Sequence, residues 1–144
     1  MKNLKIIFDD KNQIYSHRPI TFFDYFIKNI INIYKESIKN MILIEVDFSL
    51  SIDILKSLIL SIEERIDYLV IHPEFDPFKK ELIKKDKEEY NYYPFEWKSI
   101  HYYLYPRMGY EIDREIDNLF VLKKLLEKQI NANKPLEFVF ENLI

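Results

Sequence analysis

The stretch that decides the predicted fold is 41–71, MILIEVDFSLSIDILKSLILSIEERIDYLVI. Its first part, Met41–Phe48, is apolar and then alternates with polar residues, a pattern that predicts a buried strand. Ser51 is placed to cap a helix whose apolar residues recur at three- and four-residue spacings. Tyr68–Ile71 predicts a second, short buried strand. A strand–helix–strand unit of about thirty residues is long enough for a right-handed parallel crossover, so we expect it at the centre of a sheet.

Segments on either side of this unit alternate between strand-like and helix-like patterns. Short apolar or alternating runs bounded by turn residues predict strands, and apolar stripes at helical spacing predict helices. Together they predict an α/β fold with a single mixed, partly parallel sheet of roughly five to six strands and about four flanking helices, with a mixed α+β fold as the alternative. The further strands are expected at Leu4–Phe8, Gln13–His17, Phe95–Tyr105 and Leu136–Phe140, and the further helices at Thr21–Asn40, Phe78–Tyr90 and Asp113–Asn131.

Length and composition limit the class of protein. A chain of 144 residues has the usual size of one domain, so a single globular domain over 1–144 is expected. The absence of cysteine excludes disulfides, thiolate zinc sites and a cysteine nucleophile. With one glycine in the chain, the glycine-rich loops that bind the phosphates of nucleotides are excluded as well. No cofactor is predicted.

Charge and hydropathy indicate the surroundings in which the protein acts. The first residues, MKNLKIIFDD, reach Asp9 and Asp10 after a short apolar run, unlike a signal peptide. No later run approaches the ~20 apolar residues of a membrane span. We therefore expect a cytoplasmic protein with no membrane association. The formal net charge of −3, with acids and bases interleaved, argues against binding to duplex nucleic acid.

The segment 90–110, YNYYPFEWKSIHYYLYPRMGY, is unusually aromatic. It holds seven of the eleven tyrosines, the only tryptophan and the only glycine. A long strand with aromatic residues on both faces carries more apolar surface than one small core can cover, so part of it is expected at a surface. Tyrosine, tryptophan and arginine dominate the energetics of protein–protein interfaces. The predicted partner-binding residues are Tyr92, Tyr93, Trp97, Tyr102, Tyr103, Tyr105 and Arg107.

Histidines and acids offer weaker candidates for chemistry. His101, which stands among tyrosines, has the side chain of a general acid or base. His72, Glu74 and Asp76 place metal-ligating groups at alternate positions, but an X-Pro turn followed by a helix start explains the same residues. Asp47 follows a predicted strand and is expected to be a loop acid rather than a ligand. No metal site is predicted.

Elimination leaves a binding protein as the leading hypothesis. We expect a small cytoplasmic inhibitor that occludes a partner protein, such as an immunity protein that neutralises a toxin or a phage-encoded inhibitor of a defence enzyme. The first alternative is a small α/β enzyme that uses His101 or His72 with a nearby carboxylate. The second is a homodimer in which the tyrosine-rich strand forms the self-interface. A pocket with a histidine and an acid within hydrogen-bond distance would favour the enzyme.

Overall fold

The described part of the chain consists of short strands and longer helices. The computed structural model describes residues 2–8, 13–16, 35–75, 93–106 and 109–142. Within these ranges there are six strands and three helices. None of those three helices is long and apolar enough to cross a membrane. The strands are β1 (Asn3–Ile7), β2 (Gln13–Ser16), β3 (Phe48–Leu50), β4 (Tyr93–Trp97), β5 (Ile100–Leu104) and β6 (Leu136–Glu141), and the helices are α1 (Lys35–Leu43), α2 (Ile52–Val70) and α3 (Glu111–Asn131).

Two compact units make up the chain. Unit 1 comprises Met1–Arg65 and Val121–Ile144, and unit 2 comprises Ile66–Phe120. The division falls inside α2 and inside α3, so each of these helices supplies residues to both units. The single domain expected over 1–144 stays a prediction.

Unit 1 contains a four-stranded antiparallel sheet with the strand order β2-β1-β6-β3. Within it Leu4 lies opposite Phe140 and Ile6 lies opposite Phe138, and all four side chains are buried. Phe48 of β3 stacks on Phe138 with 4.5 Å between the ring centroids. Because side chains alternate along each strand, these residues give the sheet one apolar face that covers the core of the unit.

Two helices end in unit 1 at left-handed residues that are not glycine. Glu45 follows α1 with a φ of 55°, and the Val46 amide beyond it donates back to the Met41 carbonyl at 3.4 Å. The same arrangement, a Schellman motif, closes α3, where Asn133 has a φ of 56°. Glycine is the usual residue at this position because it has no Cβ. In a chain with one glycine, Glu45 and Asn133 take the strained conformation instead.

The boundary between α1 and the next strand lies later than the sequence predicts. α1 continues through Leu43 and a turn follows it, so the strand predicted for Met41–Phe48 is wrong and β3 begins only at Phe48. A short apolar run cannot be assigned to helix or strand by periodicity alone, which explains the error. Four apolar side chains of this segment are exposed instead of being covered by a sheet: Met41, Leu43, Ile44 and Val46.

The strand predicted for Tyr68–Ile71 is also wrong, because α2 is helical through Val70. Leu69 and Val70 are buried and lie three and four residues after the buried Ile66, so they extend the apolar stripe of α2. Tyr68 lies outside that stripe and is 50% exposed. Neither strand of the predicted parallel crossover is present in these described residues.

The predicted fold class must be corrected for the same reason. The described residues form two antiparallel sheets, the four-stranded sheet of unit 1 and a two-stranded sheet of β4 and β5 in unit 2, and no pair among these strands is parallel. A parallel pair needs a crossover connection, and the one predicted at 41–71 does not form. The chain is a mixed α+β fold and has no single, partly parallel sheet over its described residues. The helix predicted for Phe78–Tyr90 lies outside them.

Elements near both ends of the chain agree with the sequence patterns. β1 and β2 form the predicted antiparallel hairpin. α3 and β6 lie where the apolar stripe and the alternation predict them, to within two residues at each end. The Ser51 hydroxyl accepts the Ile54 amide at 3.4 Å, which confirms the predicted cap of α2. The helix predicted for Thr21–Asn40 is described only from Lys35 onward, where it is α1.

Unit 2 is built on the hairpin of β4 and β5. Trp97 lies opposite Ile100, which leaves Lys98 and Ser99 as a two-residue turn. Both turn residues have positive φ, 48° and 68°, as a type I′ turn requires. The single long strand predicted for Phe95–Tyr105 is therefore wrong, since the chain folds back at its centre. Asn-Gly is the usual sequence signal for this turn, and without it the pattern predicts one continuous strand.

We expect Ser99→Gly to stabilise the protein. A side chain at a φ of 68° is strained by about 1–2 kcal/mol, and glycine removes the strain at some cost in folding entropy. The net gain expected in the free energy of unfolding is about 0.5–1 kcal/mol, measured by urea unfolding with Trp97 fluorescence. Ser99→Ala is the matched control because it keeps the Cβ. Equal stabilities of the glycine and alanine variants would contradict a strained turn.

Candidate functional site

The hairpin of unit 2 has a buried face and an exposed face, because side chains alternate along its strands. The inner face carries buried side chains from both strands: Phe95, Trp97, Tyr102 and Leu104. The opposite side, which we name the outer face, consists of Pro94, Glu96, His101 and Tyr103.

Aromatic rings fill the inner face. Phe95 meets Phe120 edge to face at 5.0 Å and lies 6.1 Å from Tyr102, measured between ring centroids. Trp97 stacks on Phe95 at 6.1 Å, and Tyr102 lies 5.7 Å from Phe75. Such pairs stabilise a core by about 0.5–1.5 kcal/mol each beyond the burial of their area. Trp97 and Tyr102 are only 7% and 3% exposed, so the inner face is part of the core of unit 2.

One carboxylate on α2 holds the turn of the hairpin. The indole Nε1 of Trp97 donates to Asp67 Oδ1 at 2.8 Å, and Lys98 Nζ donates to Asp67 Oδ2 at 2.6 Å. Lys98 Nζ also lies 5.9 Å from the centroid of the Trp97 ring, within the range of a cation–π contact. Asp67 thus satisfies the one polar group of a buried ring and fixes a turn residue that has positive φ.

These contacts change the pKa of two groups in opposite directions. Hydrogen bonds from Lys98 and then from Trp97 lower the pKa of Asp67. Burial, and secondly the charge of Asp67, raise the pKa of Tyr102. Asp67 therefore contributes stability that is present above the ordinary aspartate pKa of about 3.9 and is lost as the pH falls through its lowered folded pKa. Tyr102 contributes stability that is present below the ordinary tyrosine pKa of about 10 and is lost as the pH rises through its raised one.

Polar and aromatic side chains share the outer face. Glu96 lies opposite His101, with 3.9 Å between Oε1 and Nε2, and the two side chains are 63% and 67% exposed. Tyr103 lies opposite Pro94 and is partly exposed. Proline has no N–H and occurs in strands where the amide would face solvent. β4 therefore has one backbone donor fewer to offer a neighbouring strand, and we expect contacts at the outer face to be made by side chains.

Tyrosines continue beyond the end of β5. Tyr105 meets Tyr110 edge to face, with 4.9 Å between the ring centroids, and Tyr110 is 41% exposed. The Tyr105 amide donates to Oδ2 of the buried Asp113 at 2.8 Å, which fixes the end of β5 to α3. We name Tyr103, Tyr105 and Tyr110 the tyrosine row.

The seven residues predicted to bind a partner lie in different environments. Two belong to the buried inner face: Trp97 and Tyr102. Two are partly exposed members of the tyrosine row: Tyr103 and Tyr105. One is described only as a backbone position of β4: Tyr93. Two lie outside the described residues: Tyr92 and Arg107. The role of these residues in binding stays a prediction.

The histidines proposed for chemistry lie at the surface of unit 2. His72 Nδ1 accepts the Glu74 amide at 3.1 Å, so this ring nitrogen serves a turn after α2. The 3.9 Å between His101 and Glu96 is longer than the distance of about 2.6–3.2 Å over which a side chain transfers a proton directly. Groups of three metal-ligating side chains do not occur within the described ranges, and Asp76 lies outside them.

Two shallow depressions open on unit 1, with volumes of about 200 and 250 Å³. Polar groups near them already serve the fold. Asp47 Oδ1 accepts the Phe140 amide at 2.8 Å, as expected for a loop acid. Gln129, which lines the smaller depression, donates to the Pro135 carbonyl at 2.8 Å. Neither depression has a histidine among the described residues that line it. Neither is therefore the pocket, with a histidine and an acid within hydrogen-bond distance, that would favour an enzyme.

Sequence patterns do not single out Asp67 and Tyr110. Asp67 falls where a predicted helix meets a predicted strand, and Tyr110 follows the turn at the end of the aromatic segment. One requirement bears on Asp67: a buried indole N–H needs a hydrogen-bond acceptor. A carboxylate that accepts this bond can also pair with the lysine next to the tryptophan, but the sequence alone does not say which group is the acceptor.

No protein-family model, curated protein or solved structure matches this chain. The candidate site consists of the outer face of the hairpin, with its exposed carboxylate and histidine, and of the tyrosine row, which begins at Tyr103 on that face and continues beyond the end of β5.

Asp67→Ala and Asp67→Asn should differ in their effect on stability. The alanine variant leaves the buried indole N–H without its acceptor, which costs about 1–3 kcal/mol in the free energy of unfolding. The asparagine variant keeps an acceptor oxygen and loses only the partly exposed pairing with Lys98, worth at most about 1 kcal/mol. Urea unfolding of both variants measures the difference. Equal losses would mean that the indole hydrogen bond contributes nothing.

Acid should remove the contribution of the Asp67 charge. Because the folded pKa of Asp67 is lowered, the wild type should exceed Asp67→Asn in free energy of unfolding by a constant amount between about pH 5 and 7. The excess should shrink as the pH falls below about 4. Comparison with the asparagine variant cancels the titration of other carboxylates. An excess that persists unchanged to about pH 2 would contradict a stabilising contribution from the Asp67 charge.

Proposed function

We propose that this protein is a small binding protein that inhibits another protein by covering part of its surface. The observation that carries the proposal is the division of the hairpin into a core face and an outer face, on which Tyr103 lies with Glu96 and His101. Tyr105 and Tyr110 continue the tyrosine row beyond the end of β5. Tyrosine offers a large apolar area, a polar end and few torsions, so it binds a partner at low cost in side-chain entropy. The mechanism is steric and requires no reaction at the surface.

Anchoring of the hairpin supports this use of the outer face. Asp67 holds its turn through Trp97 and Lys98, and Asp113 holds the end of β5 through the Tyr105 amide. A surface that is already ordered loses less conformational freedom when it binds. The tyrosine row therefore meets a partner in a preorganised arrangement.

The partner that we propose is a toxin neutralised by its immunity protein, or a defence enzyme blocked by a phage-encoded inhibitor. We place the encounter in the cytoplasm, which fractionation of producing cells would check. Inhibition of such partners needs only that access to their active site be blocked. Stable interfaces bury about 1,200–2,000 Å² in total, so the tyrosine row would form the centre of a larger contact.

The exposed apolar residues at the end of α1 and in the turn that follows it, in unit 1, are a weaker candidate for this contact. Its four exposed side chains are methionine and aliphatic residues, and nothing in the structure shows what covers them. Tyrosine, tryptophan and arginine are the residue types that dominate interface energetics, while leucine and valine are under-represented. The outer face of the hairpin is therefore the primary candidate.

Tyr103→Ala and Tyr110→Ala should weaken binding to the partner. Tagged wild-type protein is used to retain the partner from producing cells, and the partner is identified by mass spectrometry and purified. Its activity should fall in proportion to the amount of complex formed. Calorimetry should then show a loss of about tenfold or more in affinity for each variant, as is usual for a tyrosine at the centre of an interface.

Tyr68→Ala is the matched control for these variants. Tyr68 is a half-exposed tyrosine of unit 2 that lies on α2 and outside the outer face, so its replacement should leave affinity unchanged. Trp97→Ala is unsuitable, because removal of a buried tryptophan costs about 3–5 kcal/mol of stability and any loss of binding would be ambiguous. Retention of no protein by the wild type, or equal affinity of the three tyrosine variants, would overturn the proposal.

A further inference from the structure

The charge around the tyrosine row indicates what kind of surface it fits. We propose that the partner presents an arginine-rich surface, of the kind with which proteins bind nucleic-acid phosphates. This inference rests on the proposed binding function and adds the chemistry of the partner to it.

Carboxylates stand beside the tyrosine row at both of its ends. Glu96 is 63% exposed on the outer face, and Glu111, which follows Tyr110 in the chain, is 72% exposed. Residues 111–117 contain four acids and one arginine. Acids at the start of α3 also stabilise the N-terminus of that helix. Glu96 has no such role, because it lies on a strand and points to solvent.

Basic side chains described near the row are engaged by carboxylates. Lys98 Nζ lies 2.6 Å from Asp67, and Arg114 Nη1 lies 3.8 Å from Glu111. Over 93–120 the sequence has five acids against three lysine and arginine residues, with Arg107 counted. The segment that carries the tyrosine row therefore has a net negative charge, and a partner with positive charge is complementary to it.

Aromatic rings next to carboxylates suit arginine better than lysine. The planar guanidinium stacks on a tyrosine ring and can form two parallel hydrogen bonds with one carboxylate. The compact ammonium of lysine binds as a point charge. Glu96 lies diagonally across the hairpin from Tyr103, and Glu111 follows Tyr110 in the chain, so each carboxylate has a tyrosine next to it. This pairing favours guanidinium groups on the partner surface.

The same charges argue against two other occupants. A nucleic acid would bring phosphates toward Glu96 and Glu111, and a second copy of this chain would bring the same carboxylates toward each other. Like charges placed together in an interface are strongly unfavourable. A basic protein surface is the occupant that the charges favour.

The probe for this inference is a fluorescein-labelled peptide of about nine arginines, compared with a lysine peptide of equal length. Fluorescence anisotropy should show tighter binding of the arginine peptide, and weaker binding at about 300 mM than at about 50 mM NaCl. Glu96→Gln should reduce affinity about three- to fivefold, the size of one partly exposed charge pair. Tyr110→Ala should reduce it by a similar factor through loss of stacking.

Glu74→Gln and Tyr68→Ala are the matched controls, because both replace exposed side chains of unit 2 that lie outside the outer face. Their affinities should stay within about twofold of wild type. Equal losses in Glu74→Gln and Glu96→Gln, equal affinity for the two peptides, or no binding at about 50 mM NaCl would overturn the inference.

The captured partner separates this inference from the proposed function. A complex that resists about 500 mM NaCl and is insensitive to Glu96→Gln would overturn the arginine-rich surface and leave inhibition by occlusion intact. Site-specific peptide binding without any captured partner would support the arginine-binding surface and count against the inhibitor.

Discussion

The two-residue turn at Lys98 and Ser99 decides which aromatic side chains of unit 2 are buried. In one straight strand, Trp97 and Tyr103 would lie on the same face and Tyr102 on the opposite one. The turn pairs Trp97 with Ile100 and so reverses this relation, which brings Tyr102 to the face of Trp97. Tyr103 is thereby moved to the other face. Both the core of the unit and the tyrosine row result from that reversal.

The reversal is unfavourable on its own and depends on its surroundings. Left-handed conformations of non-glycine residues cost about 1–2 kcal/mol each, and both turn residues adopt them. The contacts of Asp67 with Trp97 and Lys98, together with the burial of the inner face, offset that cost. The same use of ordinary residues at positive φ recurs at Glu45 and Asn133, where helices end. A chain with one glycine must stabilise such positions by hydrogen bonds and packing.

Sequence patterns predict this fold well where the pattern of a segment fits only one kind of secondary structure. The hairpin of β1 and β2, the stripe of α3, the alternation of β6 and the Ser51 cap are of this kind. Patterns fail where tertiary packing chooses between two states of one short apolar run, as at Met41–Val46 and Tyr68–Val70. The candidate site shares this limit. Composition identifies the aromatic segment as unusual. The turn inside that segment has neither asparagine nor glycine, so the sequence does not predict the turn or which side chains share a face.

Adjacent positions of the hairpin have separate physical roles, and this separation suits a binding protein. Trp97 and Phe95 determine stability, whereas Glu96 between them contacts solvent and can change with little effect on folding. Exposed substitutions of that kind usually alter stability by less than about 0.5 kcal/mol. An inhibitor that must follow changes in its partner needs such positions, next to a framework that does not change. In a catalytic site such positions cannot be substituted freely, because the residues around the reacting groups must hold those groups in a fixed geometry. On the described outer face, Glu96 and His101 are 63% and 67% exposed and lie 3.9 Å apart, which is farther than direct proton transfer requires.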